Sequence, residues 1–141
     1  MTRFIVLDAG PLGLLTLPPV KPAALACEQW FRSLIGAGVT VVLPEIADFE
    51  VRRELMRLEK TIGLDRLDAL GKDPSVNYLP ITTRAMRLAA QLWADVRRAG
   101  RPTSDRHALD ADVILAAQSR LLAESGPVSY THLTLPTTPY V

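Results

Sequence analysis

The chain has 141 residues, enough for one domain with a core that needs no disulfide or metal staple. Hydrophobic residues make up 48% and charged residues 22%, which excludes a disordered or fibrous chain. Sixteen basic and fifteen acidic residues leave a net charge of +1, so no whole-molecule field draws the protein to nucleic acid or a membrane, and any polyanion must be held by a local patch.

"FIVLDAG" predicts a buried strand that ends in an acid, Asp8, with Gly10 and Pro11 as breakers. The N-terminal apolar run is too short for a membrane span and is interrupted by Asp8, so the expectation is a cytoplasmic protein without a leader or anchor. Residues 22–36 predict a helix that opens on Pro22 and closes on Gly36, with Leu25, Trp30, Leu34 and Ile35 as its apolar stripe. Cys27, the single cysteine, falls among apolar neighbours and reads as a small buried hydrophobe. "VTVVLP" is a second buried strand stopped by Pro44. "EIADFEVRRELMRLEKTIG" follows as a helix with Ile46, Phe49, Leu55 and Leu58 on its apolar side.

"LDRLDALG" predicts a short helix, "VNYLPI" a third strand, and "TTRAMRLAAQLWADVRRAG" a long amphipathic helix with Thr82 or Thr83 as N-cap and Gly100 after its end. "RPTSDRHA" is a polar loop in which His107 is a loop residue. The last helix runs from about Asp105 to Ala123 and carries "LDADVILAAQ". Strands alternating with helices imply a parallel sheet covered on both faces, in one α/β domain.

The C-terminus is different in kind. "VSYTHLTLPTTPYV" has neither period, and Val128 to Thr137 matches the translation of a transposase sequencing adapter. The expected division is therefore a domain over residues 1–127 and an artefactual tail over residues 128–141. Loss of the strands that would follow the last helix would leave a sheet edge unpaired.

Ligands of parallel α/β sheets sit beyond the carboxyl ends of the strands. Asp8 stands at such an end, the helix after Pro44 can bring Glu45, Asp48 or Glu50 to the same edge, and Asp112 can reach it from the last helix. Like charges converging there repel and raise one another's pKa unless a cation sits among them, and an all-oxygen set suits Mg²⁺ or Mn²⁺. Each acid also has a bland role: Asp8 as a turn cap, Asp110 as a first-turn helix acid, Glu45 and Asp48 likewise, and Glu54 and Glu59 as solvated partners of Arg and Lys. Trp30 and Trp93 lie on apolar stripes and read as core.

"IVLDAGPL", "LPEIADFEVRREL" and "LDADVILAAQ" resemble, in this order, the first three acidic motifs of PIN domains, especially the VapC-type ribonuclease toxins of bacterial toxin–antitoxin pairs. The resemblance covers nearly all of residues 3–122. It implies a PIN-like three-layer α/β/α sandwich with a central parallel sheet, whose C-terminal strands the tail replaces. It also implies a Mg²⁺- or Mn²⁺-dependent endoribonuclease in which Asp8, Glu50 and Asp112 are the catalytic and metal-holding acids. The partners it implies are RNA, a cognate antitoxin and a second copy of the chain. Arg52, Arg53, Arg97, Arg98, Arg101 and Arg106 are candidates for holding phosphates, with Arg52, Arg53, Arg98 and Arg106 retained.

Two positions depart from the family pattern. Ala9 stands where Ser or Thr usually follows the first Asp, and the fourth acidic or amide position falls in the replaced segment. The alternative is a non-catalytic PIN-like module that binds RNA or an antitoxin. A phosphatase using Asp8 as nucleophile would want a second Asp where Gly10 stands, and no Gly-rich phosphate loop is present for a mononucleotide.

Overall fold

The computed structural model describes residues 2–100, 106–125 and 128–132. The elements are β1 (Thr2–Val6), α1 (Ala9–Leu15), α2 (Pro22–Gly36), β2 (Thr40–Pro44), α3 (Glu45–Arg57), α4 (Thr61–Lys72), β3 (Val76–Leu79), α5 (Thr83–Arg98), α6 (Arg106–Glu124) and β4 (Val128–His132). All strand pairs are parallel, in the order β3-β2-β1-β4. Right-handed crossovers then place α5 and α6 on the face opposite α1 to α4, giving the α/β/α layering.

The strands are buried on both faces, as a parallel sheet between helix layers requires: Val6, Val41, Val42 and Leu43 are inaccessible. One core gathers Leu7, Leu12, Phe31, Val41, Leu43, Val51 and Leu67 beneath α1 to α4. A separate cluster of Ala85, Ala89, Leu109, Val113 and Ala117 joins α5 to α6. Trp30 packs against the first and Trp93 against the second, as their stripes predicted.

Several local expectations are corrected. Gly10 and Pro11 do not break the chain but lie in the first turn of α1, where Pro lacks only an N–H that has no intrahelical acceptor. On α2 the buried residues are Ala24, Cys27 and Phe31, while Leu25 is exposed. On α3 they are Ile46, Ala47, Asp48, Val51 and Leu55, whereas Phe49 is 54% and Leu58 49% exposed. α6 begins at Arg106, so His107 belongs to its first turn rather than to a loop, and Asp110 lies beyond that turn.

Among the described residues, one strand follows α6. β4 pairs with β1 from Thr2↔Val128 to Val6↔His132 and so covers the edge that was expected to lie unpaired. Edge pairing is made by backbone groups and selects side chains only weakly. Residues 133–141 of the expected tail lie outside the described residues.

Cys27 is buried as expected. Its thiol donates to the carbonyl of Pro11 at 3.5 Å, tying α2 to α1, and burial pushes its pKa up to about 11, which leaves it protonated and unreactive.

Candidate active site

Asp8 follows β1 directly and is the N-cap residue of α1, with an extended backbone and no side-chain capping bond. The turn-cap role is therefore not what its carboxylate performs. It is half-buried at the carboxyl edge of the sheet, beside the point where the chain turns one way from β1 to β2 and the other way to β4.

Glu50 comes to this edge on α3. Pro44 ends β2 and also serves as the N-cap of α3, so the helix starts without a spacer. The Glu50 carboxyl is half-buried, and its pKa is raised. Burial is the main cause, the Arg53 charge opposes it, and the charges of Asp112 and then Asp8 raise it further. Three acids from separate elements therefore share one electrostatic field. Asp112 is exposed on α6, while Asp110 faces a different groove, walled by Met86, Trp93 and Val113.

Among the described residues, no group of three or more His, Cys, Asp or Glu side chains is arranged to hold one metal ion. Asp8, Glu50 and Asp112 thus feel one another without their oxygens meeting at a common point. The donor set still fits a hard divalent cation in kind, being oxygen-only and mutually repelling. Ligating one ion would require the carboxylates to close in from the positions they hold.

The other acids of α3 are committed to structure. Glu45 accepts the backbone N–H of Ile81 at 2.7 Å and so pins the loop between β3 and α5. Asp48, only 7% exposed, accepts Arg52 Nε at 2.7 Å and the Tyr78 hydroxyl at 3.2 Å. Arg52 continues to Asp68 on α4 at 2.8 Å, and its pKa is raised by its hydrogen bonds to Asp48 and then Asp68. Burial, followed by the Asp48 charge, pushes the Tyr78 phenol up to about 12, so it remains a donor.

Sequence reasoning missed Gln118. Its buried carboxamide accepts the N–H of Ile46 at 3.3 Å and donates to the carbonyl of Leu79 at 2.9 Å. It thereby joins α6 to the first turn of α3 and to the end of β3. Asp112 stands six residues earlier, about 9 Å along the helix axis. The signal was available in "LDADVILAAQ": a carboxamide on the buried side of an apolar helix must find partners.

The arginine candidates separate sharply. Arg52 is engaged by two carboxylates, and Arg98 is paired with Asp95. Arg97 lies over the Trp93 ring at 5.4 Å. Arg101 and the side chain of Arg106 lie outside the described residues. Arg53 lies over the Phe49 ring at 5.2 Å and, with Glu50, lines a groove of about 530 Å³ between α1 and α3. Of the described candidates, Arg53 alone borders the acids.

No family model matches the sequence, and no curated protein is detectably similar to it. Among solved structures, the chain is similar to a chain of VapBC2 from Rickettsia felis, determined bound to a DNA fragment from their promoter. The TM-score is 0.58 at 8% identity, over 93% of this chain and 98% of that one. At that identity the likeness shows a shared fold, the PIN-like α/β/α sandwich. No helix among the described residues is long and apolar enough to cross a membrane.

Proposed function

We propose that the protein is the toxin component of a toxin–antitoxin pair and acts as an endoribonuclease that hydrolyses RNA phosphodiester bonds with Mg²⁺ or Mn²⁺. The observation that carries this reading is the coupling of Glu50 to Asp112 and Asp8, which brings acids from three elements into one field at the carboxyl edge of the sheet. The fold shared with a VapBC2 chain supports the toxin–antitoxin assignment.

In this reading Asp8, Glu50 and Asp112 hold the cation, which supplies a more acidic bound water and charge neutralisation at the phosphate. Without it, three carboxylates would repel an incoming phosphodiester. Arg53, at the border of the acids, offsets part of that repulsion and orients the backbone. The cognate antitoxin would silence the protein by covering the acids, and the working form would be a cytoplasmic homodimer.

The purified chain should cleave single-stranded RNA with Mg²⁺ or Mn²⁺ and stop in EDTA, and Asp8→Asn and Asp112→Asn should each reduce cleavage to background. Cleavage that persists in both variants would remove the assigned residues, and cleavage indifferent to EDTA would remove the cation. A second reading, a module that binds RNA or an antitoxin without cutting, is favoured by Ala9 beside Asp8 and by the absence of a converged three-acid group among the described residues. It predicts RNA or antitoxin binding with no cleavage under any divalent condition.

A further inference from the structure

Phe49 sits between Asp48, which is buried, and Glu50, which belongs to the acidic field, yet the residue is 54% exposed. A single exposed apolar side chain is ordinary, so this ring matters for what lies over it and beside it. Its helical neighbour at i+4, Arg53, holds its guanidinium over the ring at 5.2 Å. Among the described residues Arg53 forms no ion pair, whereas Arg52 and Arg57 on the same helix each close on a carboxylate. Arg53 also enters the groove that Glu50 lines. The ring, the cation and the acid thus form a continuous surface, one helical turn long.

We infer that Phe49 and Arg53 form a stacking platform for an unpaired base of single-stranded RNA next to the acidic site. This inference rests on the RNA reading given above. A guanidinium is weakly hydrated and planar, so it can lie flat on a ring and still direct N–H groups sideways at a phosphate. Unpaired bases stack on aromatic rings and on Arg planes alike, and this requires no particular base. An acidic protein segment would satisfy the Arg53 charge equally, so it is the planar base beside the phosphate that distinguishes RNA as the occupant. A nucleotide gives Arg53 a phosphate and the ring a base at adjacent positions, and the phosphate that follows falls toward the acids where a cation would be held. Phe49 and Arg53 then favour an unpaired nucleotide beside the scissile bond whatever its base, and paired RNA, whose bases are already stacked, is disfavoured.

The test measures binding apart from cleavage. In an Asp8→Asn parent, the affinity for a short labelled single-stranded RNA is compared with that for an oligomer of equal length lacking its bases, at fixed salt. Adding Phe49→Ala should weaken binding of the base-bearing RNA about fivefold or more, the loss that one base–aromatic stack produces, and leave the abasic oligomer unaffected. Phe49→Tyr should retain the affinity. Since the ring is exposed, the thermal transition of Phe49→Ala should match that of the parent, which separates the effect from misfolding. Equal losses on both oligomers, or none on either, would overturn the platform and assign the exposed ring to a protein partner instead. If the parent binds neither oligomer, the platform falls together with the RNA reading; if the parent binds and Phe49→Ala changes nothing, the platform falls alone.

Discussion

Gln118 holds Ile46 across 72 positions of sequence: its side-chain oxygen accepts the first-turn N–H of α3 at 3.3 Å, while its amide nitrogen donates to Leu79 at 2.9 Å. The helix that carries Asp112 is thereby set against the helix that carries Glu50. A single buried carboxamide satisfies a helix-start donor and a strand-end acceptor that would otherwise be stranded away from water.

Gln118→Leu keeps the approximate volume and removes both bonds. Leaving the two backbone groups unpaired should cost about 1–3 kcal/mol, read as a lower urea midpoint at unchanged slope. A variant as stable as the parent would show that water reaches Ile46 and Leu79 in its place.

Glu50→Gln should separate stability from activity. The folded pKa of Glu50 is raised above its ordinary value of 4.5, so its contribution to stability is complete below that value and is lost as pH rises through the folded pKa. At neutral pH and without divalent ions, the variant should melt at or above the temperature of the parent, and the gap should close on acidification below about pH 4.5. Added Mg²⁺ should raise the melting temperature of the parent and leave the variant nearly unmoved. A variant that is less stable at pH 7 would show that ionised Glu50 is held by a favourable partner.

Arg52→Ala tests the correction made to the arginine candidates. It leaves the Asp48 carboxylate almost buried with the Tyr78 hydroxyl as its remaining side-chain donor among the described residues and cuts the link to α4, so stability should fall by about 1–3 kcal/mol. RNA affinity should be unchanged, because the guanidinium is already consumed by Asp48 and Asp68. A selective loss of RNA binding in a fully stable variant would restore Arg52 to the binding surface.

Legibility in the sequence followed the range of the interactions. The strand ending at Asp8, the second strand stopped by Pro44, and α5 with Thr82 capping the N–H of Ala85 at 3.0 Å were readable because period, breaker and cap act within a few residues. α1 was not, since Gly-Pro signals a turn unless the Pro falls in a helix's first turn, which here follows from the chain leaving β1 at Asp8. Phe49 was misplaced because Asp48, not Phe49, takes the inward position, and an acid goes inward only where Arg52 and Tyr78 wait for it.

By itself the sequence determined the alternation of strands and helices other than α1, the parallel sheet it implies, and the placement of Asp8 at a strand end with Glu50 and Asp112 on helices, because these depend on local periodicity and on breakers. Only the tertiary structure decided which charges remain available and which are consumed. Asp48 and Arg52 neutralise each other, Glu45 and Gln118 serve backbone groups far along the chain, and Arg53 stays beside Glu50 with Phe49 exposed next to it. A charge's role is set by the groups within a few ångströms of it, and those neighbours come from segments whose proximity no local pattern encodes.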